Sequence, residues 1–144
     1  MALNKSVPVR WQVLEDRFYD QYHQWSQVED AVITMGVTDY VQDSAGDILY
    51  VSLPKPGTEL KAGEPWGSLE SGKWVGQLYA PFDGVVIAAN EAVEEAPGVV
   101  NQDPYHKGWL IKVKPAVPAG FAVSRLMGPE RYRAMLAELE TEEL

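Results

Sequence analysis

Apolar and polar side chains fall mostly into short runs broken by turn residues, the pattern of strands rather than of long helices. Trp25, Val28, Ala31, Ile33 and Met35 mark two short strands joined near Glu29-Asp30. Thr38 is a good helix N-cap and Gly46 a good helix stop, so a helix of about two turns fits between them. Its Tyr40, Val41 and Ala45 are expected to face a sheet. Residues 47–53 are β-branched and aromatic, a strand that Pro54 to Gly57 ends. After a turn at Leu60 to Gly63, Pro65–Ser71 and Trp74–Ala80 read as strands flanking Gly72-Lys73. That is a hairpin with Lys73 at or next to its apex. A turn at Pro81–Gly84, a strand at 85–90, a loop with one helical turn at 91–105 and a final strand at Trp109–Lys114 follow. In the tail, Pro129 suits the first position of a helix and Glu130 complements its dipole. Tyr132, Met135, Leu136 and Leu139 share one face of that helix.

The predicted architecture is mainly β, with short helices at its margins and a C-terminal helix. Residues 1–17 form an N-terminal extension in which Val7-Pro8-Val9 is extended, 18–115 the body, and 116–144 a helical tail packing on it. One strand–turn–strand unit precedes Lys73 and a similar one follows it.

Composition narrows the chemistry. At 144 residues and 46% hydrophobic, the chain suits one domain with a real core. A net charge of −9 argues against nucleic acid and anionic membranes as partners. The absence of cysteine removes disulfides and Cys-based metal or redox sites, so any sulfur chemistry has to come from an added group. The first residues lack the apolar run of a signal peptide, Glu15 and Asp16 do not suit a mitochondrial leader, and no stretch is long enough to span a bilayer; a cytoplasmic protein is expected. His23 and His106 have no metal-ligand spacing, and neither a phosphate-binding glycine loop nor a G-x-S-x-G element is present. No enzyme active site and no metal site are therefore expected.

The remaining signal is Glu70-Ser71-Gly72-Lys73, followed by Tyr79-Ala80-Pro81-Phe82-Asp83-Gly84. A lysine lifted clear of the body by a rigid hairpin is accessible to a modifying enzyme in one orientation. On this segment alone, an ordinary solubilising lysine is the stronger explanation.

A longer series of matches changes that balance. His23-Gln24-Trp25, Gly36 to Gln42, Gly46-Asp47-Ile48, Leu53-Pro54, Glu70 to Lys73, Tyr79-Ala80-Pro81, Gly84, Asn90, Asn101 to Tyr105 and Gly108 to Lys112 occur in one order. In that order the chain resembles the lipoyl-carrying H protein of the glycine cleavage system and its relatives. The resemblance implies a flattened barrel, the barrel-sandwich hybrid, with 18–115 as the lipoyl-carrier domain. It implies lipoic acid joined by an amide to Lys73, and Glu70 and Gly84 read by the lipoate ligase or lipoyl transferase. The amide would remove the lysine charge and create a swinging arm that reaches on the order of 12–15 Å. Its dithiolane would supply the sulfur that the chain lacks.

The chain also departs from the family pattern. The glutamate of the family's H-E-W is Gln24, an aspartate four residues beyond the lysine is Gln77, and a histidine usual near the end of the short helix is Ser44. Gln24, Ser44, Trp74 and Gln77 are the candidate arm or cargo contacts. Two neutral amides suit a neutral or anionic cargo. Gly72 to Gly76, with the N-terminal extension, resembles the lipoate-binding proteins of bacterial sulfur oxidation. The expected role is thus to shuttle sulfane sulfur, with a heterodisulfide-reductase-like complex and sulfur transferases as partners. The alternative is a glycine cleavage H protein carrying an aminomethyl group among the P, T and L proteins. Biotin sites favour flanking methionines, which Gly72 and Trp74 are not. An unmodified relay scaffold is a third option. A carrier of this shape is expected to work as a monomer.

Overall fold

The computed structural model describes residues 9–142; Val7-Pro8, of the predicted extended segment, lie outside that range. Its strands are β1 (Phe18–Tyr19), β2 (Gln24–Glu29), β3 (Val32–Val37), β4 (Ile48–Ser52), β5 (Glu59–Leu60), β6 (Pro65–Ser71), β7 (Val75–Tyr79), β8 (Gly84–Ala89) and β9 (Ile111–Pro115). The helices are α1 (Asp39–Ala45), α2 (Glu91–Glu95), α3 (Gly98–Gln102), α4 (Ala119–Ala122) and α5 (Pro129–Glu142). They build a six-stranded sheet in the order β1-β2-β3-β9-β8-β5 and a three-stranded sheet in the order β4-β6-β7.

Both sheets feed one apolar core. Ile33, Met35, Val86 and Val113 from the larger sheet meet Val51, Leu69 and Leu78 from the smaller one. Along β8 and β9 the buried positions alternate with outward ones, Val86 against Val85 and Ile87, Val113 against Lys112 and Lys114, as one covered face requires. This is the mainly β, flattened barrel-sandwich arrangement expected from the sequence. A second, aromatic cluster joins Trp11, Tyr19, Trp25, Tyr105, Tyr132 and Leu136. Tyr19 and Tyr132 stack with ring centres 4.5 Å apart. The apolar face of α5 thereby meets the segment from Val9 to Tyr19. Gly36 is confined here: a Cβ would sit 2.6 Å from the Trp25 ring.

Two local expectations are corrected. The predicted loop at 91–105 holds two helices, α2 and α3, each pinned by one buried valine, Val93 and Val100. Pro97 and Gly98 between them break the pattern that a single longer helix would show. Thr38 does precede α1, but its hydroxyl makes no cap bond. It pairs instead with Tyr132 Oη at 2.7 Å, and the Tyr105 hydroxyl accepts from the Asp39 N–H at 3.2 Å. Among the described residues no helix is long and apolar enough to cross a membrane.

Candidate functional site

β6 and β7 pair antiparallel from Pro65↔Tyr79 to Glu70↔Val75, which leaves Gly72, Lys73 and Trp74 as the tip. Ser71 closes it. Its N–H donates to the Trp74 carbonyl at 2.7 Å, and its hydroxyl accepts from the Lys73 N–H at 3.3 Å. Lys73 is exposed, and no described side chain forms an ion pair or hydrogen bond with its amine. The lysine stem runs past the end of α1, where a Cβ on Gly46 would come 3.3 Å from Lys73 Cε. Gly46 has φ +80, so it meets the turn and the close approach together.

A cleft of about 190 Å³ opens between the edge strand β7, α1 and the turn that leads into β2. It brings Ser44, Trp74 and Gln77 together with Tyr22, His23 and Tyr40. The Trp74 indole lies over Gly76, where a Cβ would sit 2.0 Å from the ring. His23 Nδ1 is 2.9 Å from Tyr132 Oη, and burial pushes the imidazole down to about 4, so it is neutral at pH 7. Among the described residues, the lining carries no carboxylate.

The other predicted site residues lie elsewhere. Gln24 is fully buried. Its Nε2 donates to the Tyr79 carbonyl at 2.7 Å and to Asp20 Oδ2 at 3.0 Å, while its Oε1 accepts from the Tyr79 N–H at 3.0 Å. The side chain thus behaves as a one-residue strand that ties β7 to the body. Asp20 accepts from the N–H groups of Tyr22 and Gln24 as well, yet burial still pushes its carboxyl up to about 6. An amide suits this place: an ionised glutamate would turn an oxygen toward the Asp20 carboxylate and toward a carbonyl. The amide that departs from H-E-W is thus fully engaged inside the body. Gly84 starts β8 in the larger sheet, where a Cβ would meet Lys114 O and Val113 Cγ1 at 2.7 Å. Glu70 is exposed on the outer face of the smaller sheet, between Tyr50 and Val75.

Sequence reasoning missed Tyr22, His23, Tyr40, Asp20 and Ser71 as contributors to the site. His23, Tyr40 and Ser71 stand inside the matched segments, but those segments assign them no role, and Asp20 and Tyr22 lie outside them. The left-handed backbone at His23, φ +63, is one that only a few per cent of non-glycine residues adopt, so even the enrichment of histidine there is too weak a signal to read from sequence.

A free lysine at a closed tip beside a cleft of neutral, partly aromatic lining fits a covalently held arm that can extend or lie back. Comparison with known proteins points the same way. The family model described as Glycine cleavage H-protein matches residues 17–139. A glycine cleavage system H protein from Geobacillus kaustophilus is 44% identical over 120 residues, covering 83% of this chain and 93% of that one. One from Legionella pneumophila is 41% identical over 125 residues, covering 87% and 98%. Among solved structures, the crystal structure of a glycine cleavage system H protein from Mycobacterium marinum superposes with a TM-score of 0.80 at 30% identity, covering 87% of this chain and 99% of that one.

Proposed function

The chain belongs to the glycine cleavage H-protein family, a family of lipoyl carriers rather than enzymes, and on that premise we propose that Lys73 holds the arm. The observation that carries this reading is the exposed Lys73 amine, without a partner among the described residues, at the tip of the β6–β7 hairpin and beside the cleft. When bound, the lipoyl group supplies a reversible dithiol–disulfide pair that this cysteine-free chain lacks. The chain itself does the positioning. Ser71 fixes the tip, Gln24 anchors the outgoing strand, and Trp74, Tyr40 and His23 offer a wall against which an arm can lie. Glu70 and Gly84 are proposed as positions read by the lipoate ligase or lipoyl transferase.

For the cargo, the relatives' names favour an aminomethyl group moved among glycine cleavage P, T and L proteins over the sulfur-oxidation role expected from the sequence. Gln24, one ground for that expectation, is committed inside the body. The cleft is still lined by the rings of Tyr22, Tyr40 and Trp74, and a cationic aminomethyl group seated over one such ring gains roughly 0.5–1 kcal/mol at a surface site. One observation favours the second reading. Among the described residues the lining holds no carboxylate, where one at ~4 Å would contribute about 4 kcal/mol of attraction at an effective dielectric of ~20. That lining also suits sulfane sulfur on the arm, delivered to a heterodisulfide-reductase-like complex.

Intact mass after incubation with lipoate, ATP and a lipoate ligase tests the site. One lipoyl group is expected on the parent and none on Lys73→Arg, which keeps the charge but offers no acylable amine. Glycine–bicarbonate exchange with a P protein then tests the cargo. Exchange supports the aminomethyl role. Sulfane-sulfur loading of the reduced arm without exchange supports the other.

A further inference from the structure

The outer face of the three-stranded sheet carries side chains that neither the core nor the cleft uses. Pairing aligns Tyr50 with Glu70 and Glu70 with Val75, one row across β4, β6 and β7. Tyr50 is 65% exposed and Val75 68%. Adjacent strands lie about 4.8 Å apart, so the two apolar side chains flank the carboxylate within roughly 10 Å. The row sits one residue pair below the tip, since Ser71 and Trp74 form the closing pair. Leu49, 51% exposed, shares a shallow depression with Asp47, Gly72 and Lys73. Single exposed apolar residues are ordinary; here Tyr50 and Val75 flank a carboxylate in one row directly below the tip.

We propose that this row is the docking face for the enzyme that forms the Lys73 amide, a protein whose mouth is apolar and rimmed by basic groups. The inference rests on Lys73 as the attachment point. Reach selects the occupant. A partner acting on the far end of a 12–15 Å arm (on the order of ten bonds) need not touch the hairpin, whereas one that acylates the amine must bring its reacting carbon to bonding distance of Nζ. Its body then covers the surface one residue pair away. Charge selects the rim: Glu70 and Asp47 are exposed carboxylates on a chain of net charge −9, which favours a basic partner in both steering and register. Tyr50 and Val75 supply the apolar anchors that such interfaces concentrate near their centre. The two sides of the hairpin divide the work, with the Trp74 side facing the cleft and the Tyr50 side facing the modifying enzyme.

The test uses the full chain, a purified lipoate ligase, lipoate and ATP. Initial rates are measured against carrier concentration, with intact mass as the end point. Tyr50→Thr/Val75→Thr keeps strand-forming residues at both positions. It is expected to lower kcat/KM about tenfold or more through KM, while reaching one lipoyl group per chain with an unchanged unfolding midpoint. Each single variant carries the same test should the pair weaken the sheet. Glu70→Gln is expected to flatten the fall of kcat/KM with added salt. Full modification of the double variant with kcat/KM within about twofold of the parent would sink the docking face alone. No mass gain on the parent at saturating ligase would sink the attachment reading, and the docking face with it.

Discussion

Gln24→Glu changes no shape and yet should unsettle the hairpin's anchor. The amide gives two N–H donors at a fully buried site, one to the Tyr79 carbonyl at 2.7 Å and one to Asp20 Oδ2 at 3.0 Å. A carboxylate gives none. Both acids cannot stay ionised at that separation, so the pair keeps a proton, and one hydroxyl can serve Asp20 or Tyr79 but not both. The acceptor left dry costs roughly 1–3 kcal/mol. Holding the proton at pH 7 against an unfolded value near 4.3 adds at most about 3.7 kcal/mol, at 1.36 per pH unit. The folded-state value is raised, so this second contribution is absent below the unfolded value and grows as pH rises. The variant should therefore lose about 1–3 kcal/mol near pH 4 and about 3–6 kcal/mol near pH 7. Urea unfolding followed by tryptophan fluorescence at about pH 4.5 and about pH 7.5 reads both ends. Adding Asp20→Asn removes one acid and supplies an N–H donor to the introduced carboxylate, so the pH slope should flatten. A Gln24→Glu loss below about 0.5 kcal/mol, or equal at both pH values, would refute the latch.

Three further outcomes follow from the same geometry. Gly76→Ala places a Cβ 2.0 Å from the Trp74 ring, so the indole must leave the cleft; a red-shifted fluorescence maximum with stability changed by less than about 1 kcal/mol is expected. Gly84→Ala meets backbone, Lys114 O at 2.7 Å, and should lower stability by roughly 1–3 kcal/mol in chemical denaturation whether or not the modifying enzyme reads that position. His23 and Asp20 oppose each other in acid. The histidine, lowered by burial to about 4, removes stability as pH falls from its unfolded value, whereas Asp20, raised by burial to about 6, adds stability as pH falls below that. His23→Gln should thus become more stable relative to the parent on acidification from about pH 6.5 to about pH 4, read as the difference in unfolding free energy.

The hairpin was legible because Gly72 interrupts two β-rich runs, a local signal that tertiary contacts reinforce. The α1 span and the α5 face were legible for the same reason: Gly46 and Pro129 act within a few residues. The cleft was not, because its walls come from β7, α1 and the end of the turn before β2, which only the fold brings together. Gln24 illustrates the limit. Its place in a motif suggested contact with cargo, but its partners are Asp20, four residues earlier across a turn, and Tyr79, 55 residues later. Nothing in a linear pattern reveals that a side-chain amide completes a strand. Two helices at 91–102 escaped because each buries a single valine, too little to establish a period.

The same latch bears on how the molecule behaves in company. β7 borders the three-stranded sheet on one side, and an outward-facing row of backbone donors and acceptors is an invitation to aggregate by strand addition. At Tyr79 the outward N–H and carbonyl are already filled by Gln24, and farther along the indole of Trp74 overhangs Gly76. The carrier can therefore keep a slender, flat hairpin projecting into solvent without that border becoming sticky.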